Sequence, residues 1–316
     1  MKNKKRILIC GATGFIGRNL TIELSKSKNY QIIATFFKTK AFKCKNVKWI
    51  KADLRNPLKV NKITKKIDII IQASATTSGA KTIVNKPYEH VTDNAVMNSY
   101  ILRSVHENNV KHLIFFSCTV MYQSSKKSLK ESDFNPSKEL FSNYFGVGNT
   151  KLYIEKMCEF YSKIGSTKFT CIRHSNIFGP FDKFDLNKSH FFGASITKVM
   201  NAEKNIIVWG DGKEKRDLLY IDDLVNFVKL SIQKQKNKFR IYNCGCGKPY
   251  SIENIIKKII KLSNKKIRIV YDKTQPTIKT SLSLNCKLAN KELGWKPKVS
   301  LNKGIQHTLK WWKENF

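Results

Sequence analysis

The chain has 316 residues, is 41% hydrophobic and carries a formal net charge of +36. That is enough apolar material for one large domain or two tightly joined ones. No apolar run approaches the ~18 residues that span a membrane. The basic residues 1–6 precede only four apolar residues before a glycine, too few for a secretory core, so a cytoplasmic protein with no membrane partner is expected. The charge comes from 51 lysines and 8 arginines spread over the whole length. A nucleic-acid-binding block would cluster and favour arginine, so no nucleic-acid partner is expected. The positive field still favours an anionic small substrate.

In chain order, strands are predicted at 7–10, 31–37, 47–51, 67–73, 112–117 and 169–173. Helices are predicted at 16–25, 93–109 and 149–164. Near-continuous apolar strands between helices indicate a buried parallel sheet, hence an α/β, Rossmann-like, doubly wound fold. Beyond Arg173 the pattern loosens, with loops at Gly179-Pro180, Trp209-Gly210-Asp211-Gly212 and Gly245-Cys246-Gly247. The expected division is a dinucleotide-binding domain over 1–175 plus about 217–243, and a smaller interleaved C-terminal substrate domain over about 176–216 and 244–316. The eight cysteines are scattered. Cys244-Gly245-Cys246 has no second pair at zinc-ligand spacing, so reduced thiols and no metal are expected.

Gly11-Ala12-Thr13-Gly14-Phe15-Ile16-Gly17 lies between the first strand and the first helix. Gly11 permits the tight turn, Gly14 lets backbone approach a pyrophosphate, and Gly17 lets the helix pack on the strand. With Thr13, Phe15 and Ile16 they form the expected phosphate cradle. The second strand ends Ala34-Thr35-Phe36-Phe37-Lys38-Thr39-Lys40. It offers no carboxylate for the ribose 2′-hydroxyl of NAD, while Lys38 suits a 2′-phosphate. NADP is the expected cofactor, with NAD as the alternative.

These and further segments resemble the extended short-chain dehydrogenase/reductases of the NAD-dependent epimerase/dehydratase family. They are Ala52-Asp53-Leu54, Ile71-Gln72-Ala73-Ser74-Ala75, Asp93-Asn94, the run from Phe116 to Tyr122, Lys151, the run from Arg173 to Pro180, Arg216-Asp217, Tyr220-Ile221-Asp222-Asp223 and Leu293-Gly294-Trp295-Lys296-Pro297. The runs from Ser175 to His190 and from Val208 to Arg216, and the helix tail after Lys151, are more narrowly similar to the GDP-L-fucose synthase family.

The resemblance implies roles. Lys151 takes the lysine position of the family's Tyr-x-x-x-Lys, but Val147 stands where the tyrosine belongs. Tyr144, one turn earlier, is the nearest replacement if the helix runs back that far, and Gly146 and Gly148 are expected to let it bend. Cys118 falls on the family's Ser/Thr position, with Thr119 and Ser117 beside it. His190 falls on the family's epimerisation acid, whose partner cysteine is replaced by Val120. No carboxylate follows the strand-five position, which disfavours dehydration. Asp53, Leu54, Ala73, Ala75, Asn94, Ser117 and Lys151 are implied on the cofactor. Asn176, His190, Lys198, Trp209 and Arg216 are implied on a nucleotide-diphosphate sugar, GDP-linked by preference. The implied activity is 4-keto reduction of a GDP-(6-deoxy)sugar. The alternatives are C4 epimerisation or dehydrogenation, or a non-catalytic NAD(P)-binding sensor. A homodimer is also implied, pairing helices 93–109 and 149–164 through Ile101, Val105, Leu152 and Met157.

Overall fold

The computed structural model describes residues 4–77, 86–186, 188–275 and 281–316. Its strands are β1 Lys5–Cys10, β2 Tyr30–Phe36, β3 Val47–Lys51, β4 Ile69–Gln72, β5 His112–Phe116, β6 Lys168–His174, β7 Asn176–Phe178, β8 Asn205–Trp209, β9 Lys215–Tyr220, β10 Phe239–Cys244, β11 Pro249–Ser251 and β12 Arg268–Asp272. The helices are α1 Phe15–Leu24, α2 Pro57–Thr64, α3 Thr92–Glu107, α4 Phe145–Ile164, α5 Phe191–Asn201, α6 Ile221–Lys234, α7 Ile252–Ser263, α8 Lys287–Leu293 and α9 Leu301–Asn315.

Seven strands form one parallel sheet in the order β10-β6-β5-β4-β1-β2-β3. The order runs outward from β1 in both directions. The switch between β1 and β4 opens a crevice beyond their C-terminal ends, where such folds bind ligands. This is the doubly wound, Rossmann-like α/β fold expected from the alternation of strands and helices. All six predicted strands are present. The seventh, β10, pairs with β6 at the sheet edge. Its sequence, Phe-Arg-Ile-Tyr-Asn-Cys, is interrupted by polar residues and gives no continuous apolar run.

Side chains alternate across the sheet. Ile7 and Ile9 enter one core, Leu8 and Cys10 the other. The second core lies under α2, α3 and α4. The first runs on through α5, α6, α7 and α9 as far as Leu309, so the C-terminal segments share apolar packing with one sheet face. Those segments carry two smaller sheets, β11-β9-β7 and β12-β8. Among the described residues no helix is long and apolar enough to cross a membrane.

α4 begins at Phe145, four residues earlier than predicted. A Cβ on Gly146 would come within 2.9 Å of Val91 Cγ2, and one on Gly148 within 2.7 Å of Leu140 Cδ1. The helix runs through both, so these glycines provide close packing rather than a break. Tyr144 lies outside the helix, closing the 3₁₀ turn Ser142–Tyr144 at the N-cap position. The expectation that 144, 147 and 151 share one helical face is corrected accordingly. Ile101 and Val105 are buried in the core beneath the sheet, which removes them from any dimer seam.

Candidate active site

The crevice between β1 and β4 is a cleft of about 430 Å³. Gly11, Thr13, Gly14, Lys38, Asp53, Leu54, Ala73 and Ala75 line it, all expected on the cofactor. Its shape depends on two glycines. Gly11 has φ +69°, and a Cβ there would come within 2.6 Å of Ser74 Cα. A Cβ on Gly17 would meet Gly11 O at 2.2 Å. Gly14 has no such crowding and faces the cleft. α1 starts at this point with no acid in its first turn, so its first backbone N–H groups offer an anion site. A dinucleotide pyrophosphate fits this cradle. Phe15 and Ile16 pack their side chains on the core and reach the cradle only through backbone, while Gly17 is buried within the helix.

Two further residues expected on the cofactor brace the walls. Asn94 is buried. Its Nδ2 donates to Thr76 O (3.0 Å) and His90 O (2.8 Å), and its Oδ1 accepts from Thr76 N (3.0 Å). Ser117 Oγ donates to Glu155 Oε1 at 2.6 Å. Asp53 is in the cleft, but its carboxylate accepts from Arg55 Nε (3.0 Å) and NH2 (2.8 Å). Those hydrogen bonds hold its pKa below the usual carboxylate value. Arg55 also bonds Asp93 and lies 5.7 Å from the Phe37 ring centroid. No role was expected for Arg55, although it stands two residues after the expected Asp53.

At the C-terminal end of β5, Lys151 Nζ donates to Phe116 O at 2.8 Å and sits 4.8 Å from the Phe115 ring centroid. Burial lowers its pKa, and Cys118 and Glu155 pull it back. Burial raises the Cys118 thiol, with Lys151 opposing. Burial also raises the Tyr144 phenol, and its charged neighbours are Arg216, which opposes, and Cys118, which adds. Lys151 thus acts on Cys118 through space, and Cys118 and Arg216 act on Tyr144. Thr119 turns the chain here, accepting from Tyr122 N at 3.0 Å.

His174 ends β6 in the same place. Its Nδ1 lies 2.8 Å from Ser175 O. A carbonyl only accepts, so Nδ1 carries the proton and Nε2 is left with a lone pair. Burial, with Lys151 and His190 nearby, lowers the imidazole to about 4. Its position at the C-terminal end of a buried parallel strand is the signal that could have revealed it. His190 is the N-cap residue of α5, and desolvation, then Lys183 and His90, lowers its pKa.

Glu155, one turn beyond Lys151, forms a buried bidentate pair with Arg173, at 3.0 Å from Nε and 2.7 Å from NH2. Arg173 NH1 also donates to Tyr122 OH (3.0 Å), which donates to Asn243 Oδ1 (2.8 Å). This network fixes α4 against β5, β6 and β10 from behind the site.

On the C-terminal side, Asn176 Nδ2 donates to Asp217 O (3.2 Å). Lys198 Nζ donates to Ile207 O (3.1 Å) and lies 5.7 Å from the Trp209 ring centroid. Trp209 is 43% exposed. Asp217 is buried and accepts from Cys246 N, Gly247 N and Leu284 N at 2.7–3.0 Å. Arg216 therefore lies on the opposite side of β9 from its neighbour's carboxylate.

Fold and cleft together define a dinucleotide-dependent enzyme class. Residues 7–245 match the NAD dependent epimerase/dehydratase family, and the chain belongs to that family. It is accordingly an NAD(P)-dependent enzyme of epimerase/reductase type. Over 97% of both chains it is 29% identical to GDP-L-colitose synthase of Yersinia pseudotuberculosis. It is 25% identical to GDP-L-fucose synthase of Azorhizobium caulinodans, covering 99% of this chain and 97% of that one. The UDP-glucose 4-epimerase of Thermotoga maritima superposes with a TM-score of 0.86 at 21% identity, over 98% of this chain and 99% of that one, and shares the fold.

Proposed function

We propose that the chain reduces the 4-keto group of a GDP-linked 6-deoxysugar, using NADP(H) in preference to NAD(H). The observation that carries this reading is the Lys151 ammonium, which α4 holds on Phe116 O at 2.8 Å where β5 leads into Cys118, at the same C-terminal end of the sheet as the glycine cradle. The full-length similarity to a GDP-L-colitose synthase and a GDP-L-fucose synthase supports the GDP-linked substrate. The bound cofactor supplies the hydride; the protein's part is the proton and the grip. Tyr144 delivers the proton to the sugar oxygen, its phenol drawn down by Arg216 against burial; Lys151 holds the nicotinamide ribose and Cys118 orients the oxygen. Arg216, Lys198, Trp209 and Asn176 hold the nucleotide diphosphate, the guanidinium fork matching phosphate oxygens. His190 serves a further proton transfer in this reading. Lys38, in the cleft without an acid beside it on β2, favours NADP.

Incubation with GDP-4-keto-6-deoxymannose should consume NADPH, and faster than NADH. Flat traces with GDP-, UDP-, dTDP- and CDP-linked ketosugars alike would remove the reading. Val147 favours a second reading, a non-catalytic NAD(P)-binding protein; it predicts cofactor binding without turnover, and nucleotide-sugar affinity indifferent to Arg216→Ala.

A cytoplasmic homodimer pairing α3 and α4 completes the proposal. Of the expected seam, Ile101 and Val105 are buried, whereas Leu152 and Met157 on α4 are half-buried. Phe145, Tyr153, Phe160 and Ile164 are 43–64% exposed and recur along one side of α4, with Tyr153 OH 3.1 Å from Ser99 Oγ of α3. Sedimentation at micromolar concentration should give a dimer; a clean monomer would refute it.

A further inference from the structure

Lys183 belongs to the segment between Pro180 and α5, on the C-terminal side of the molecule, yet it lines the cleft together with Gly14, Ser74 and Thr77. Its Nζ crosses to Thr77, donating to the carbonyl at 3.0 Å and approaching Oγ1 at 3.2 Å. Its backbone is firmly set: a Cβ on Gly193 would meet Lys183 O at 2.3 Å, so the first turn of α5 packs directly on it. Its amide donates to Asp182 Oδ1 at 2.7 Å.

Among the described residues no carboxylate forms an ion pair with this ammonium. The other cationic groups of the cleft differ. Arg55 is saturated by Asp53 and Asp93, and Lys38 lies at the end of β2. Among the described residues this partly desolvated ammonium hydrogen-bonds a neutral threonine, while the adjacent Asp182 carboxylate, engaged by the Lys183 amide, acts on it only through space; facing a glycine cradle and a helix N-terminus, it is suited to an anion.

We infer that Lys183 is a pyrophosphate-binding residue: its ammonium closes over the dinucleotide phosphates from the side opposite α1. This rests on reading the cleft as a dinucleotide site. It also ties cofactor binding to the segment that leads into His190 and α5, so that the phosphates help to set the substrate side of the site.

The test is equilibrium titration of the full-length protein with NADP+, NAD+ and adenosine 2′-monophosphate, which lacks the pyrophosphate. A charge-assisted contact of this kind corresponds to roughly 10- to 100-fold in affinity. Lys183→Met should weaken NADP+ and NAD+ by a similar factor of that size and leave adenosine 2′-monophosphate unchanged. Lys183→Arg should recover most of the loss, which a merely structural role would not allow. Circular dichroism melts of the unliganded variants verify that each is folded. Unchanged dinucleotide affinity in a folded Lys183→Met, with the parent binding normally, overturns the inference alone. A loss confined to NADP+ and adenosine 2′-monophosphate overturns it too, by moving the contact to the 2′-phosphate. Absence of dinucleotide binding by the parent overturns both the inference and the reading of the cleft.

Discussion

Tyr144→Phe lowers turnover by at least about 10²-fold while leaving cofactor affinity nearly unchanged. General acid–base groups typically contribute about 10²- to 10⁴-fold, and valine at 147 cannot transfer a proton. The substitution removes one oxygen from the N-cap residue of α4, whose side chain makes no capping hydrogen bond, so the fold has no reason to change. Lys151→Met differs in kind. It removes the ammonium bonded to Phe116 O, and both turnover and cofactor affinity fall. Single-turnover kinetics beside cofactor titration separate the two. A Tyr144→Phe enzyme with unchanged turnover would pass the proton to His190 or Cys118. A gain in rate from Val147→Tyr would show that the pocket still accepts the family's arrangement.

Glu155→Ala is expected to be the most destabilising single change in the vicinity of the site. Both side chains of the Arg173–Glu155 pair are only 4% exposed. Removing one partner strands a buried guanidinium, which typically costs about 3–5 kcal/mol. It also leaves the Ser117 hydroxyl without its acceptor. Urea unfolding should show a lower midpoint with the slope unchanged. Glu155→Gln keeps the volume and an acceptor oxygen and should lose less. A Glu155→Ala variant as stable as the parent would mean that the pair contributes nothing beyond replacing water.

What the sequence could reveal followed from how local each signal was. The strands around β1, and the turn from Gly11 to Gly17, are set by runs of apolar residues and by backbone that only glycine tolerates, so they were legible in one dimension. The edge strand β10 was not, because polar groups interrupt its apolar run: Arg240 pairs with Glu292, and the buried Tyr242 and Asn243 are satisfied by Glu292 and Tyr122. Ser117 and Asn94 have the right chemistry and the right neighbourhood, but their polar atoms are committed to Glu155 and to the chain around Thr76. Only the three-dimensional hydrogen-bond pattern shows that. Tyr144 stands in the turn ahead of α4 rather than on the helix, because the 3₁₀ turn Ser142–Tyr144 ends where α4 begins. Lys183 is one of 51 lysines and nothing local distinguishes it; it acquires significance when α5 packs its segment against the cleft.

The central claim is that hydride leaves a nicotinamide held in the β1–β4 crevice and arrives on the keto carbon of a GDP-linked sugar. The most direct measurement uses NADPH carrying deuterium at the transferable position of C4, with GDP-4-keto-6-deoxymannose, and reads the product by mass spectrometry. The account predicts a GDP-deoxysugar carrying one deuterium bound at C4, formed in step with NADP+. Bound cofactor with no deuterium reaching the sugar would contradict it.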